Sequence, residues 1–512
     1  MQSAIPPREA HGCHGGRETM LESARAAGKS KALDRLMTDY PRGPHDQPQS
    51  MCPAFGSLRV GLRMRRTATI LCGSACCVYG LTFTSHFYGA RRTVGYVPFN
   101  SETLVKGQLF EDIRAAVIET AKPADYDAVV VINLCVPTAS GVPLDLLPRN
   151  IDGVRIIGID VPGFGVPTHA EAKDVLAGAM LRYARQEAEH GPVARPRSVA
   201  PLDRAPLDRA VKGQQTVTLV GELFPADPIG VGALLGPMAL SVAPSVPSRE
   251  WRDLYASLDC AVVAAVHPFY TASIREFHAA GRPVVGSGPV GLDGTAAWLD
   301  SIGAAANVPW ELIDDAKARA LPAVRAALAA NPIAARVTIS GYEGSELLVA
   351  RLLVEAGAEV PYVGTACPRT EWSDADRDWL EAHGTYVQYR ASLEQDMAAM
   401  RDVRPDLAVG TTPLVQAAKQ LGIPALYFTN MVSARPLLGP AGAGALAGIV
   451  AAQTRGRDRF ARMMGFFEHV GAGESAGYGW TQVPKDPPGS RERYRKSREA
   501  KAKTAVSQAM GD

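Results

Sequence analysis

Cys52, Cys77 and Cys135 are the residues of this chain whose types and surroundings are best suited to chemistry. They stand in Met51–Gly56, Cys72–Gly80 and Asn133–Pro137, each beside glycine or proline. Such neighbours let the backbone turn and bring its amides close to a sulfur-bound ligand. Three thiolates arriving from three separate loops are the pattern of a tertiary metal site, whereas a compact finger shows two close CxxC pairs. Three is also one short of the four thiolates of an ordinary iron–sulfur cluster. The missing ligand then has to come from elsewhere, another chain included. Taken alone, the trio fits a zinc site or buried core thiols as well. Cys72 and Cys76 share a segment with Cys77, and spacing by itself does not choose among them. Cys260 lies in an apolar run and reads as a small core residue. Cys367 is a loop cysteine without an assigned role.

Other motifs carry less. Ala27–Ser30 resembles the end of a phosphate-binding loop, but Ser23 occupies the place of its first glycine and no strand precedes it. The chain is therefore expected to have no ATP site of its own. Gly341–Ser345 reads as a tight strand-to-helix turn rather than an anion cradle. The histidines form no HExxH or HxH pair. His267, just past an apolar run, is the candidate for a cleft position, and His86 is a weaker one.

Composition sets bounds on these readings. At 512 residues the chain is long enough for several domains. A net charge of +2 points to no nucleic acid or other polyanion. Eight cysteines are too sparse for a disulfide scaffold, so a reducing, cytoplasmic setting is expected. Residues 1–50 lack the apolar core of a secretory signal. The uncharged run from Thr67 to Ala90 is long enough to cross a bilayer but is rich in Gly, Ser, Thr and Cys. It is expected to be a buried strand, a cysteine loop and a helix start, with no transmembrane segment.

Alternating strand and helix signals divide the chain. Residues 1–45 read as a disordered leader, 46–190 as the cysteine-bearing α/β domain and 191–214 as a Pro-rich linker. A second α/β domain is expected over 215–332 and a third over 333–460. Residues 461–512 read as a C-terminal helix and a solvated basic tail. The clearest strands are 127–133, 154–160, 216–221, 260–266, 283–286, 336–340, 360–364, 386–389, 407–410 and 425–428. Continuous apolar strands between amphipathic helices, such as 346–356 and 374–383, predict three doubly wound, Rossmann-like parallel sheets. Ligands then belong at strand carboxyl ends, between domains.

Six segments resemble the nitrogenase-like oxidoreductases: Cys52–Ser57, Ile70–Gly80, Asn133–Gly141, Asp160–His169, His267–Tyr270 and Tyr427–Asn430. The resemblance runs over nearly the whole chain beyond the leader, and is to α-type subunits of three α/β domains. In that family a cluster ligand follows a G-x-x-x-C turn, which from Gly73 selects Cys77. The third ligand precedes a glycine by six positions, as Cys135 precedes Gly141. The resemblance thus implies that Cys52, Cys77 and Cys135 hold part of a [4Fe-4S] cluster completed by a partner subunit. Departures are informative. Cys72 stands where nitrogenase proper has histidine, and Val142 and Pro143 replace an acidic pair. Pro268 stands where nitrogenase anchors its large cofactor, and no histidine counterpart is found near Thr429 and Asn430. The central cavity is then free for a planar tetrapyrrole.

The match is to the branch that works in bacteriochlorophyll synthesis. It implies reduction of the C7=C8 bond of ring B of chlorophyllide a. It also implies a stable partner (subunit Z, two copies of each chain) and a transient ATP-hydrolysing iron–sulfur homodimer (subunit X). His267, Phe269, Tyr270 and Thr429 are the expected substrate-binding residues, with His267 the candidate proton donor. The rival expectation is a non-redox ligand-binding protein or sugar transferase with structural cysteines, which fold alone does not exclude.

Overall fold

The computed structural model describes residues 52–87, 94–189 and 215–467. The leader, the Pro-rich linker and the basic tail lie outside these residues.

Three sheets follow one another along the chain. The first has β1 Thr67–Gly73, β2 Val94–Pro98, β3 Ala128–Asn133, β4 Asn150–Ile151 and β5 Val154–Asp160. Its order is β2-β1-β3-β5-β4, parallel except for the short β4 at the edge. β1 and β3 are buried at every position, as uncharged strands covered by helices on both faces have to be. The second sheet has β6 Gln215–Val220, β7 Leu240–Val242, β8 Val262–Ala265 and β9 Val284–Gly286, in the parallel order β7-β6-β8-β9. The third has β10 Arg336–Gly341, β11 Glu359–Thr365, β12 Tyr386–Tyr389, β13 Leu407–Gly410 and β14 Ala425–Tyr427. Its parallel order β12-β11-β10-β13-β14 is the doubly wound arrangement, with a switch point between β10 and β13.

The ten strands anticipated above are all present within two residues at either end. The anticipated helices appear as Glu346–Glu355 and Asp374–Ala382. One boundary differs. Phe428, expected at the end of a strand, begins a short helix to Ser433. The Thr67–Ala90 run resolves into β1 and the Ala75–Phe87 helix, and no helix of the described residues is long and apolar enough to cross a membrane.

The second sheet joins the other two. Val217, Leu219, Val262 and Ala264 belong to a core that continues into Val337, Ile339 and Val409 of the third sheet. Val220 and Val263 belong to another, shared with Leu71, Val130 and Ile132 of the first. Alternation of side chains along a strand sends these sets to opposite faces.

The Ala54–Arg63 helix packs along the His169–Glu189 helix at very short range. A Cβ on Gly56 would lie 1.7 Å from the His169 carbonyl oxygen, so only glycine fits. Gly56→Ala must push the two helices apart. We expect it to destabilise the chain by about 1–3 kcal/mol, read as a lower urea midpoint. An unchanged midpoint would show that the helices do not meet there.

Candidate functional site

β1 and β3 finish level, with Cys72 opposite Asn133. The helices that follow, Ala75–Phe87 and Cys135–Ala139, therefore emerge side by side at the carboxyl edge of the sheet. Cys77 stands in the first turn of one and Cys135 begins the other. Cys52 precedes the Ala54–Arg63 helix, which runs back along the sheet before feeding β1, so its start lies at that same edge. The sequence expected cysteines in open loops. Here they sit at helix starts, because the turns after the strands are only one residue long.

The sulfurs are neighbours. Burial pushes the Cys77 thiol up to about 12, and Cys76, Cys52 and Cys135 add to the shift. The Gly163 amide donates to Cys135 Sγ at 3.1 Å. Cys76 is exposed, while Cys52, Cys77 and Cys135 are half-buried. Cys72 is different: it lies inside β1, fully buried, with its thiol pushed up to about 12 by burial alone. Among the described residues, no three His, Cys, Asp or Glu side chains close on one point as they would around a single ion. A multi-iron cluster does not require that, since each thiolate binds its own iron. Sulfurs that disfavour one another's ionisation suit a cationic core that removes the repulsion.

The rim of this edge is apolar and open. Tyr79 and Phe83, one helical turn apart, stack with centroids at 6.2 Å and are 72% and 61% exposed. Phe164, beside the Gly163 amide, is 63% exposed. Exposed aromatic rings in one neighbourhood mark a surface made to be covered.

A second group of side chains collects at the carboxyl edges of the other two sheets. Glu222 lies just past β6, His267 just past β8, Glu343 just past β10 and Thr429 just past β14. His169 and Lys173, one turn apart on the long helix after β5, reach them from the first domain. Lys173, 2% exposed, contacts Glu222 and stands 3.3 Å from Glu343. Arg59 pairs with the other oxygen of Glu222 at 2.5 Å. Thr429 donates to Glu343 at 3.2 Å. Burial alone would raise both carboxylates. Lys173 and Arg59 outweigh it at Glu222, bringing it to about 2, and Lys173 and His169 hold Glu343 well below the usual range.

Both histidines here are shifted below the ordinary imidazole value. Burial lowers His169, whose Nε2 stands 3.3 Å from Glu343 Oε1. Burial and then Lys173 lower His267 to about 4. His267 Nδ1 accepts the Glu222 amide hydrogen at 3.2 Å, so its own proton sits on Nε2. That approach needs Gly221, which takes φ +142° and whose Cβ would lie 2.8 Å from the His267 ring.

The structure thus brings Cys52, Cys77 and Cys135 together at one edge, and His267 and Thr429 together at another. Phe269 and Tyr270 differ from the aromatic surface expected of them. They are 2% and 0% exposed, packed on each other and on His267 in the core. The Tyr270 hydroxyl has no hydrogen-bond partner among the described residues. The side chain of His86 lies outside the described residues. Gly341–Ser345 is the tight turn expected: the Glu346 carboxylate accepts its Glu343 and Gly344 amides at 2.8 and 2.9 Å. Cys367 is buried and donates to the Tyr342 carbonyl at 3.6 Å. Arg59, Lys173, Glu222 and Glu343 were missed. The signal available was an acidic residue directly after each of two buried strands, at Gly221-Glu222 and Tyr342-Glu343.

Residues 52–454 match the model of the nitrogenase component 1 type oxidoreductases. The chain belongs to that family. As an oxidoreductase of this kind it is not the non-redox binding protein or transferase of the rival expectation. Over 504 residues it is 63% identical to the "Chlorophyllide reductase 52.5 kDa chain" of Rhodobacter capsulatus, covering 98% of this chain and 99% of that one. The protein of the same name from Cereibacter sphaeroides is 62% identical, covering 98% and 97%. Among solved structures, nitrogenase Cp1 at pH 6.5 superposes with a TM-score of 0.62 at 16% identity, over 82% of this chain and 94% of that one. That likeness shows the nitrogenase-type fold, three α/β units with parallel sheets.

The charged group makes a testable prediction. A buried ammonium removed from its carboxylates leaves them uncompensated, at a cost of about 3–5 kcal/mol. Lys173→Met is expected to lose about that much stability near neutral pH. Glu222 is depressed in the folded state, so its contribution is present above its ordinary value of 4.5 and lost as pH falls toward about 2. In the variant, protonation neutralises the stranded carboxylates instead. The gap between the two proteins in urea midpoint should therefore shrink as pH falls from 7 to 4. A gap independent of pH would mean that Lys173 acts through packing alone.

Proposed function

We propose that this chain is the nitrogenase α-like subunit of a chlorophyllide reductase and serves reduction of the C7=C8 bond of ring B of chlorophyllide a. The single observation that carries the reading is the convergence of Cys52, Cys77 and Cys135 at one sheet edge under an open aromatic rim, in a chain of this family. Relatives named for chlorophyllide reduction, alike over nearly their whole length, support the substrate.

In this reading the three thiolates hold a [4Fe-4S] cluster whose fourth ligand comes from the partner, subunit Z, which covers Tyr79, Phe83 and Phe164. The cluster, when bound, supplies one-electron redox chemistry. The chain's own residues do the rest. The Gly163 amide steadies the Cys135 sulfur. His267, neutral with its proton on Nε2, offers a hydrogen bond toward the junction of the three domains. Thr429 and the Lys173 group line that junction, and Phe269 and Tyr270 back it from the core. Electrons come from subunit X, which carries the nucleotide chemistry. The setting is cytoplasmic.

Two experiments test this. Cys52→Ser, Cys77→Ser and Cys135→Ser should each lower the iron content of the anaerobically purified complex and abolish chlorophyllide reduction, while Cys76→Ser retains both. Loss of iron in Cys76→Ser with retention in Cys77→Ser would reverse the choice within the vicinal pair. Separately, the chain and its partner together should bind no MgATP in equilibrium dialysis. Stoichiometric micromolar binding to this chain would refute the division of labour.

A further inference from the structure

The small net charge of the chain conceals a segregation. From Arg455 to Asp512 the sequence holds twelve Lys and Arg against seven Asp and Glu, a net charge of +5. The whole chain carries only +2, so everything before Arg455 sums to −3. Positive charge is thus gathered at one end of the molecule. The described part of that end is the Arg457–Phe467 helix, separated from the Gly439–Arg455 helix of the third domain by Gly456 alone. Arg457 pairs with Asp406 at 2.6 Å and ties the start of the helix to the body of the protein. Beyond this tie the helix stands in the open. Asp458, Arg459, Ala461, Arg462 and Met463 are all exposed.

Two kinds of side chain run along this helix as stripes. Phe460, Met463 and Met464 recur at three- and four-residue spacing and so share one side. None of them belongs to the hydrophobic cores of the three sheets or packs on them. Met463 is 46% exposed. Arg459 and Arg462, three residues apart, form a second stripe beside Met463. These two and Arg455 are exposed and pair with no described carboxylate. A protein partner suits such a surface poorly, because charge is depleted at the centre of protein–protein interfaces. A nucleic acid would engage the arginines and leave the apolar stripe uncovered. A helix lying in the plane of a bilayer uses both stripes. Its apolar side chains enter the headgroup boundary while its arginines stay among the phosphates. The segment from Lys485 to Lys503, with eight basic and three acidic residues, adds charge of the same sign.

We propose that the Arg457–Phe467 helix, with the basic segment that follows it, docks this chain peripherally on an anionic phospholipid surface. The contact needs no membrane-crossing helix, and none is present among the described residues. The remainder of the chain is net negative and is not drawn to such a surface, so the molecule is held there by its C-terminal end. This docking is independent of the chemistry at the cysteines and holds whatever the substrate is.

The test uses the assembled complex of this chain with its partner and vesicles of two compositions: phosphatidylcholine alone, and an equal mixture of phosphatidylcholine and phosphatidylglycerol. Binding is read by flotation. The native complex should float with the mixed vesicles, stay behind with phosphatidylcholine alone, and be released by added salt. Arg459→Ala combined with Arg462→Ala should weaken binding about thirtyfold, or about fivefold for each arginine near an anionic surface. Met463→Ser should weaken it by a smaller factor. Arg319→Ala, at an exposed position of the Trp310–Ala329 helix, should leave it unchanged. All these positions are exposed, so the urea midpoint should stay at its native value. A native complex that does not float with the mixed vesicles would overturn the docking, and so would equal flotation of the double variant. Equal loss in Arg319→Ala would reduce the effect to overall charge and overturn it as well. Flotation of the free chain but not of the complex would assign the helix to the partner subunit instead. Displacement from the mixed vesicles by single-stranded DNA at equal phosphate concentration would assign it to a nucleic acid.

Discussion

The arrangement of this molecule depends on one buried ammonium. Lys173 leaves the first domain and meets carboxylates that belong to the other two, Glu222 after β6 and Glu343 after β10. An isolated charge at that depth is prohibitively costly, so the three domains have to close on it together. The carboxylates are bound by the same logic, since each is buried and each needs a cation. Closure in turn keeps His169 and His267 dry and lowers the pKa of both, and it fixes which nitrogen of His267 carries the proton. The junction is thus polar, and burial raises its Glu346 carboxyl, which accepts the Glu343 and Gly344 amides, to about 7.

The two chemical centres of the chain arise from one rule applied three times. In a doubly wound sheet, whatever follows a strand at its carboxyl end faces the crevice. In the first domain those positions carry Cys77 and Cys135; in the second and third they carry Glu222, His267, Glu343 and Thr429. The first sheet therefore presents sulfur outward, under exposed aromatic rings. The other two present charge inward, to a junction that Lys173 shuts. Separation of the sulfurs from the buried charges keeps ammonium and guanidinium groups away from the thiols, whose ionised forms they would otherwise hold as ion pairs.

Much of this was legible before any fold was known. The strands were visible because apolar runs such as Ala128–Asn133 are buried on both faces, and a continuous run is the signature that such burial leaves. The cysteines were visible by type and by their neighbours Gly73, Pro53 and Pro137. What stayed hidden was the charged group. Lys173 sits in a helix with many polar residues, and a sequence carries no mark that a lysine is covered by two other domains. Tyr270 illustrates the converse. Its aromatic type suggested a surface for a flat ligand, yet its ring packs in the core and only its hydroxyl is left over. Residue type predicts what a side chain can do, whereas the packing of distant segments decides which of its atoms remain free to do it.

One element ties the two centres together. The Ala54–Arg63 helix starts beside Cys52 and ends at Arg63, with Arg59 between. At 1.5 Å per residue it spans about 15 Å from the sulfur edge to the charged junction. Gly56 presses it against the His169–Glu189 helix, so it cannot slide along its neighbour without the backbones colliding. The distance between Cys52 and Arg63 is therefore set by helix geometry rather than by flexible side chains. The short helix, unremarkable in composition, is in this sense the ruler of the site.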